Sequence, residues 1–208
     1  MLGAFLSGAG PSVAVLASGE QTNEEAAAWA ELVRAAGGGA LVAGGDGPAG
    51  AWELIQPVAA QIADLEHADV IVVAGDRELQ DAAGVVELRV RKAVRRGARL
   101  VLAGAGGTNL DRVAALRIAA PPGGLAAVAD ELTAELERAD RPLLIVTDAV
   151  DLRVVYKIAK AAKLAAKPGG VLPMPQSPNE LGLRACGYTD DAATVLARDL
   201  KLIVVLGD

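Results

Sequence analysis

Short glycine-rich segments that follow apolar runs are the residues of this chain best suited to bind a ligand. Three occur: 44–47 (Gly-Gly-Asp-Gly), 75–76 (Gly-Asp) and 104–108 (Gly-Ala-Gly-Gly-Thr). Backbone N–H groups exposed at such tips can bind an anion such as phosphate. The segment 104–108 lacks the Gly-Lys-Ser/Thr of a P-loop, and Asn109 stands at the third glycine position of a Gly-x-Gly-x-x-Gly motif. We therefore interpret 104–108 as a tight turn, with an anion cradle as the alternative.

Residues that carry out covalent or metal chemistry are scarce. His67 is the only histidine and Cys186 the only cysteine, so an intrachain disulfide and an iron–sulfur site within the chain are excluded. A Ser–His–Asp arrangement is not excluded by counting, but the sequence contains no strand–Gly-x-Ser-x-Gly–helix elbow. We expect His67 to be a helix-end cation or hydrogen-bond donor and Cys186 to be a small packed residue. No catalytic residue and no metal ligand are predicted.

Charge and composition exclude several classes of partner. The net charge is −6 and aromatic residues make up 2% of the chain, which argues against nucleic-acid binding. No apolar run reaches the roughly 18 residues of a membrane span, so no direct membrane insertion is predicted. Basic side chains lie mostly along one side of a predicted helix from 152 to 167, which indicates a solvated face, with a phosphate or partner site as the alternative.

Strand-like and helix-like patterns alternate along the whole chain. Runs rich in β-branched residues, such as 70–73 and 202–206, are separated by amphipathic segments. This alternation predicts an α/β fold of two Rossmann-like parallel-sheet units with helices on both faces, in three α/β/α layers. We expect a first unit over 1–139 and a second over 140–208. The chain stops at the tip of the apolar run 202–206, so we expect the second unit to be truncated.

Several segments resemble the central domain of the molybdopterin oxidoreductase family. The resemblance covers most of the chain, and its most specific part is the helix that contains Arg89, Arg91 and Lys92. The other matching segments are 16–19, 22–25, 32–34, 68–75, 96–102, 172–175, 179–187 and 204–208. The branch most similar to this chain is the domain of that type in the large iron–sulfur subunit of bacterial NADH–quinone oxidoreductase, respiratory complex I.

Departures from the family pattern lie at the strand tips. The family usually has Gly-x-Asn-Pro, Asp-Pro-Arg and Thr-Asp where this chain has 75–78 (Gly-Asp-Arg-Glu), 104–106 (Gly-Ala-Gly) and 124–125 (Gly-Leu). Each change removes a polar group that a bound guanine dinucleotide would need, at a cost on the order of 1–3 kcal/mol for a group left unpaired. Asp76 and Glu78 would also put negative charge near a pyrophosphate. We expect no bound cofactor, with vestigial strand tips at Gly75, Asp76, Gly104, Gly106, Gly207 and Asp208.

The resemblance implies a structural domain without catalytic residues of its own. Its place would be the cytoplasmic peripheral arm of complex I, attached to the inner membrane through partner subunits, with FMN and iron–sulfur clusters held elsewhere in the complex. One alternative is a fragment of a molybdopterin-dependent enzyme, such as formate dehydrogenase, that binds a guanine dinucleotide. A second alternative is a small nucleotide-binding module that uses the tip 104–108.

Overall fold

The described part of the chain is discontinuous. A computed structural model describes residues 8–43, 54–147, 151–174, 179–190 and 192–207, apart from the side chain of residue 181. The glycine-rich segment 44–47 and Asp208, both singled out from the sequence, lie outside these ranges.

Eight strands and six α-helices lie along these residues. The strands are β1 Val13–Ala17, β2 Ala40–Ala43, β3 Val70–Ala74, β4 Arg99–Gly104, β5 Leu116–Ala119, β6 Pro142–Val146, β7 Gly170–Pro173 and β8 Leu202–Leu206. The helices are α1 Asn23–Ala35, α2 Leu79–Arg95, α3 Ala129–Glu137, α4 Leu152–Ala161, α5 Glu180–Ala185 and α6 Ala192–Leu196.

The strands form two sheets in which all the neighbours are parallel. One sheet has three strands in the order β2-β1-β8, and the other has five in the order β5-β4-β3-β6-β7. In the larger sheet the chain begins at the central strand, moves to one edge and returns to the other side. This is the 3-2-1-4-5 arrangement of doubly wound sheets. The predicted α/β class with Rossmann-like parallel sheets is confirmed.

The two compact units are divided differently from the expected boundary between residues 139 and 140. Unit 1 comprises 1–49 and 175–208, and unit 2 comprises 50–174. The physical reason is strand pairing: β6 pairs with β3 from Val70↔Pro142 to Ala74↔Val146. A cut before β6 would therefore pass through the larger sheet.

Unit 2 has an apolar cluster on each face of its sheet. Along β3, Val72 and Ala74 belong to the cluster that includes residues of α3 and α4, whereas Ile71 and Val73 belong to the cluster that includes residues of α2. Successive residues of a strand point to opposite faces. Strands buried on both faces read as continuous apolar runs, which is why the sequence of β3 has no alternating polar residues.

Unit 1 contains the helix α1 and the shorter helices α5 and α6. A capping box opens α1: Thr22 N donates to Glu25 Oε2 at 2.9 Å, and Glu25 N donates to Thr22 Oγ1 at 3.2 Å. The edge strand β8 is only partly covered, since Ile203 and Val205 are 46% and 72% exposed. Unit 1 therefore has an exposed apolar strip on one face of β8.

None of the helices in the described ranges is both long and apolar enough to cross a bilayer.

Candidate functional site

The carboxyl edge of the five-stranded sheet is where a fold of this kind places a ligand. The register pairs Ala74 of β3 with Ala103 of β4 and with Val146 of β6. The three strands therefore end at the same level, and the tips that follow β3 and β4 lie side by side. The strand order reverses between β3 and β6, so that the edge is also the topological switch point.

Two acidic side chains of the β3 tip bind the backbone of the β4 tip. Asp76 Oδ1 accepts hydrogen bonds from the successive amides of Ala105 and Gly106, the latter at 3.3 Å. The carboxylate of Glu78 accepts from the amide of Asn109 at 3.0 and 3.3 Å through its two oxygens. The amides that an anionic ligand would need at this tip are therefore bonded to carboxylates of the same chain.

Glycine at position 104 makes this contact possible. A Cβ built on Gly104 would lie 2.7 Å from Asp76 Oδ1 and 2.7 Å from the Gly75 carbonyl oxygen. Gly75 itself has φ 126°, a conformation that residues with a side chain rarely adopt. Gly75 and Gly104, both predicted as strand-tip residues, thus allow the two tips to approach each other closely.

Two small depressions flank the contact between the tips. Each is about large enough for one water molecule. Arg77, Thr108 and Arg117 contribute to the lining of the first, and Pro121 and Gly123 to that of the second. Neither depression has the size of a nucleotide or pterin site.

Thr147 lies at the switch point, directly after β6, and was not singled out from the sequence. It is fully buried, and its amide donates to the Ala74 carbonyl oxygen at 2.9 Å. Its hydroxyl lies 3.5 Å from the same oxygen. The described residues of the switch point are therefore bonded to each other across β3 and β6.

An ion pair on α2 anchors the far end of the β4 tip. Arg91 Nε donates to Glu87 Oε1 at 2.7 Å, and Arg91 Nη2 donates to the Asn109 carbonyl oxygen at 3.0 Å. Glu87 is 5% exposed, and its other oxygen makes no hydrogen bond to the described residues. Asn109 is thus bonded through its amide to Glu78 and through its carbonyl to Arg91.

The carboxyl edge of the smaller sheet is a cluster of amide and hydroxyl groups. Gln21 Oε1 accepts from the Gly19 amide at 3.1 Å, and Asn179 Nδ2 donates to the Gln21 carbonyl oxygen at 2.8 Å. Gly207, a predicted tip residue, has φ 146°, and a Cβ there would lie 2.6 Å from Ser18 Oγ. The groups of this edge therefore bind one another.

The remaining candidate residues are His67 and Cys186. His67 is exposed and ends the short helix before β3, while Cys186 is half-buried beside the apolar cluster of unit 1. Burial, with a smaller effect of Cys186, raises the pKa of Tyr188 to about 12, and the hydroxyl donates to the Ala26 carbonyl oxygen at 3.2 Å. Within the described ranges, no three His, Cys, Asp or Glu side chains are grouped as metal ligands.

The basic face on α4 and the turn after it is mostly solvated, with one exception. Its first four cations are exposed: Arg153, Lys157, Lys160 and Lys163. Lys167 instead donates to the carbonyl oxygens of Leu136, Glu137 and Ala139 at 3.1, 2.6 and 2.8 Å. The interpretation as a solvated face therefore fails at Lys167, which binds the carboxyl end of α3.

The tip residues could be predicted from the sequence, but their contact could not. Asp76 and Glu78 were expected to put negative charge near a pyrophosphate, and the structure adds that both bind amides of the neighbouring tip. The sequence does contain a relevant pattern, because two carboxylates follow one strand and a glycine-rich tip follows the next strand. The contact between the two tips follows only from the pairing of β3 with β4 in register, which the sequence does not reveal.

Comparison with known proteins adds no assignment. The chain matches no protein-family model, and no curated protein matches its sequence significantly.

Proposed function

We propose that this chain is a structural domain that binds no cofactor and supplies no catalytic residue. One observation carries the proposal: Asp76 and Glu78 bind the three amides of the β4 tip that an anionic ligand would need. A nucleotide or pterin pyrophosphate would have to displace both carboxylates and would be repelled by their charge.

The parent assembly that we propose is the peripheral arm of NADH–quinone oxidoreductase. The support is the resemblance of segments 68–75, 85–93, 96–102 and 179–187 to the molybdopterin oxidoreductase-type domain of its large iron–sulfur subunit. In this role the domain supports electron transfer from NADH to quinone by binding other subunits or domains. FMN and iron–sulfur clusters belong to those partners, and the localisation is cytoplasmic, at the inner membrane through the partners.

Exposed apolar side chains support a role in an assembly. Ile203 and Val205 are exposed on β8, and Val85 and Leu88 are 56% and 67% exposed one turn apart on α2. Exposed apolar side chains that are neighbours on one element, as in each of these pairs, are a common mark of protein–protein interfaces.

The proposal is tested on protein isolated from its native cells with an affinity tag. We expect it to co-purify with FMN, non-haem iron and NADH dehydrogenase activity, and to contain far less than one molybdenum or tungsten per chain by mass spectrometry. Stoichiometric molybdenum or tungsten would overturn the structural role in favour of the molybdopterin enzyme. Recovery without flavin or iron would contradict the proposed parent assembly.

A further inference from the structure

Two successive amides of the β4 tip converge on one oxygen atom. Ala105 N and Gly106 N both donate to Asp76 Oδ1. Successive backbone N–H groups that share an anionic oxygen form a nest, the backbone arrangement that binds phosphate in many proteins. The nest in this chain contains a carboxylate oxygen of the chain itself.

A second anionic oxygen pair lies next to the nest. Glu78 Oε1 and Oε2 accept from the Asn109 amide at 3.0 and 3.3 Å. The segment 105–109 therefore directs three amides at two carboxylates, which is more than a tight turn requires. Two of the three amides, those of Ala105 and Gly106, share one oxygen, as successive amides of a nest do with a phosphate oxygen.

Two cations beside the nest would attract an anion from solution once the Asp76 carboxylate is removed. Asp76 is exposed, so that its position is reached from solvent. Arg77 and Arg117 line the depression beside the tips, and Arg117 also pairs with Asp111. Gly104 leaves the space next to Asp76 Oδ1 free of a Cβ.

We propose that residues 104–109 form an anion-binding loop whose ligand is the Asp76 carboxylate, and that removal of this carboxylate makes the loop bind phosphate. This inference rests on the proposed function, since it requires that the wild-type loop holds no outside ligand. A tethered group acts at an effective concentration of about millimolar or more. Free phosphate therefore competes poorly with Asp76 in the wild-type protein.

The test is a titration of the ¹⁵N-labelled protein with inorganic phosphate at constant ionic strength, followed through the amide shifts of Ala105, Gly106 and Asn109. Asp76→Ala removes the internal ligand, and Asp81→Ala is the matched control because it removes one exposed carboxylate from the same stretch of chain. We expect saturable shifts of the loop amides in Asp76→Ala, with an affinity at least about tenfold higher than in Asp81→Ala or wild type. Asp76→Asn keeps an acceptor oxygen at the nest and should bind more weakly than Asp76→Ala.

A folded Asp76→Ala protein that binds phosphate no better than Asp81→Ala overturns the proposal and leaves the proposed function intact. If Asp76→Ala broadens the loop resonances, phosphate should sharpen them, and failure to do so in both Asp76→Ala and Asp76→Ser also overturns the proposal. Phosphate binding at these amides in wild type would instead contradict the proposed function.

Discussion

At the scale of single residues, one carboxylate of unit 2 binds several cations at once. Glu66, at the end of a short helix before β3, binds three cations of α2 and its carboxyl end: Arg89 at 2.8 Å, Lys92 at 3.1 Å and Arg96 at 3.4 Å. The hydrogen bond from Lys92 and the charges of Lys92, Arg89 and Arg96 lower the pKa of Glu66 below its ordinary value of 4.5, against the opposing effect of burial. Pairs of this kind are partly exposed and screened by salt, so that each contributes modestly.

Replacement of Glu66 by Gln should lower the free energy of unfolding at neutral pH. A carboxylate whose pKa is lower in the folded state stabilises the fold at pH values above its pKa in the unfolded state, near 4.5. This contribution disappears as the pH falls through the pKa of the folded state. Urea unfolding of wild type and Glu66→Gln should therefore differ at pH 7 and converge in acid. A difference that is constant from pH 7 to pH 3, with Asp81→Asn as the control, would show that the charge of Glu66 is not responsible.

At the scale of elements, helix ends are where unpaired carbonyl groups need partners. The last carbonyl groups of a helix have no intrahelical donor, and cations are favourable there. Lys167 provides such a cation to the end of α3 from the turn before β7. It joins two segments that are about thirty residues apart in the sequence.

Replacement of Lys167 by Met should lower the free energy of unfolding by about 1–2 kcal/mol, because three carbonyl groups lose a charged donor while the apolar stem is kept. Lys160→Met is the matched control, since Lys160 is exposed on α4, and it should change stability by less than about 0.5 kcal/mol. Denaturant unfolding of both variants measures the difference. Equal effects would mean that Lys167 does not cap α3.

Elements of this chain could be predicted from local patterns, whereas their side-chain contacts could not. The apolar run 70–73 determines structure within a few residues, and the strand that it predicts is present as β3. The capping box at Thr22 and Glu25 is equally local, since it joins residues three positions apart. The contact of Asp76 with the β4 tip joins residues 29 and 30 positions apart. The contacts of Lys167 could not be predicted from the sequence either. Helical periodicity places Lys167 on a solvated face, whereas the carbonyl groups that it binds are at the end of another helix.

At the scale of the whole molecule, unit 2 is continuous in sequence and unit 1 is not. Unit 2 spans 50–174, and its two apolar clusters draw all their residues from this range. Unit 1 combines 1–49 with 175–208, and within it β1 pairs with β8. In the sequence, all the residues of unit 2 lie between these two strands. The expected boundary at 139/140 missed this arrangement because alternating patterns do not reveal which strands pair.

Unit 2 should therefore fold when residues 50–174 are produced alone. We expect a cooperative thermal transition and slowly exchanging amides in β3, β4 and β6, since these strands are buried and paired within the fragment. A fragment covering 1–139 would lack β6 and β7 and should not show such a transition. A cooperative 1–139 fragment together with an unfolded 50–174 fragment would contradict this division.

The central claim is that carboxylates of the chain occupy the ligand edge of unit 2. The most direct test is to add a guanine nucleotide to ¹⁵N-labelled wild-type protein at neutral pH and to follow the amides of Ala105, Gly106, Asn109 and Thr147. We predict that these amides do not shift, because the first three are bonded to Asp76 and Glu78 and the fourth to the Ala74 carbonyl oxygen. Saturable shifts of the same amides at micromolar nucleotide would contradict the claim.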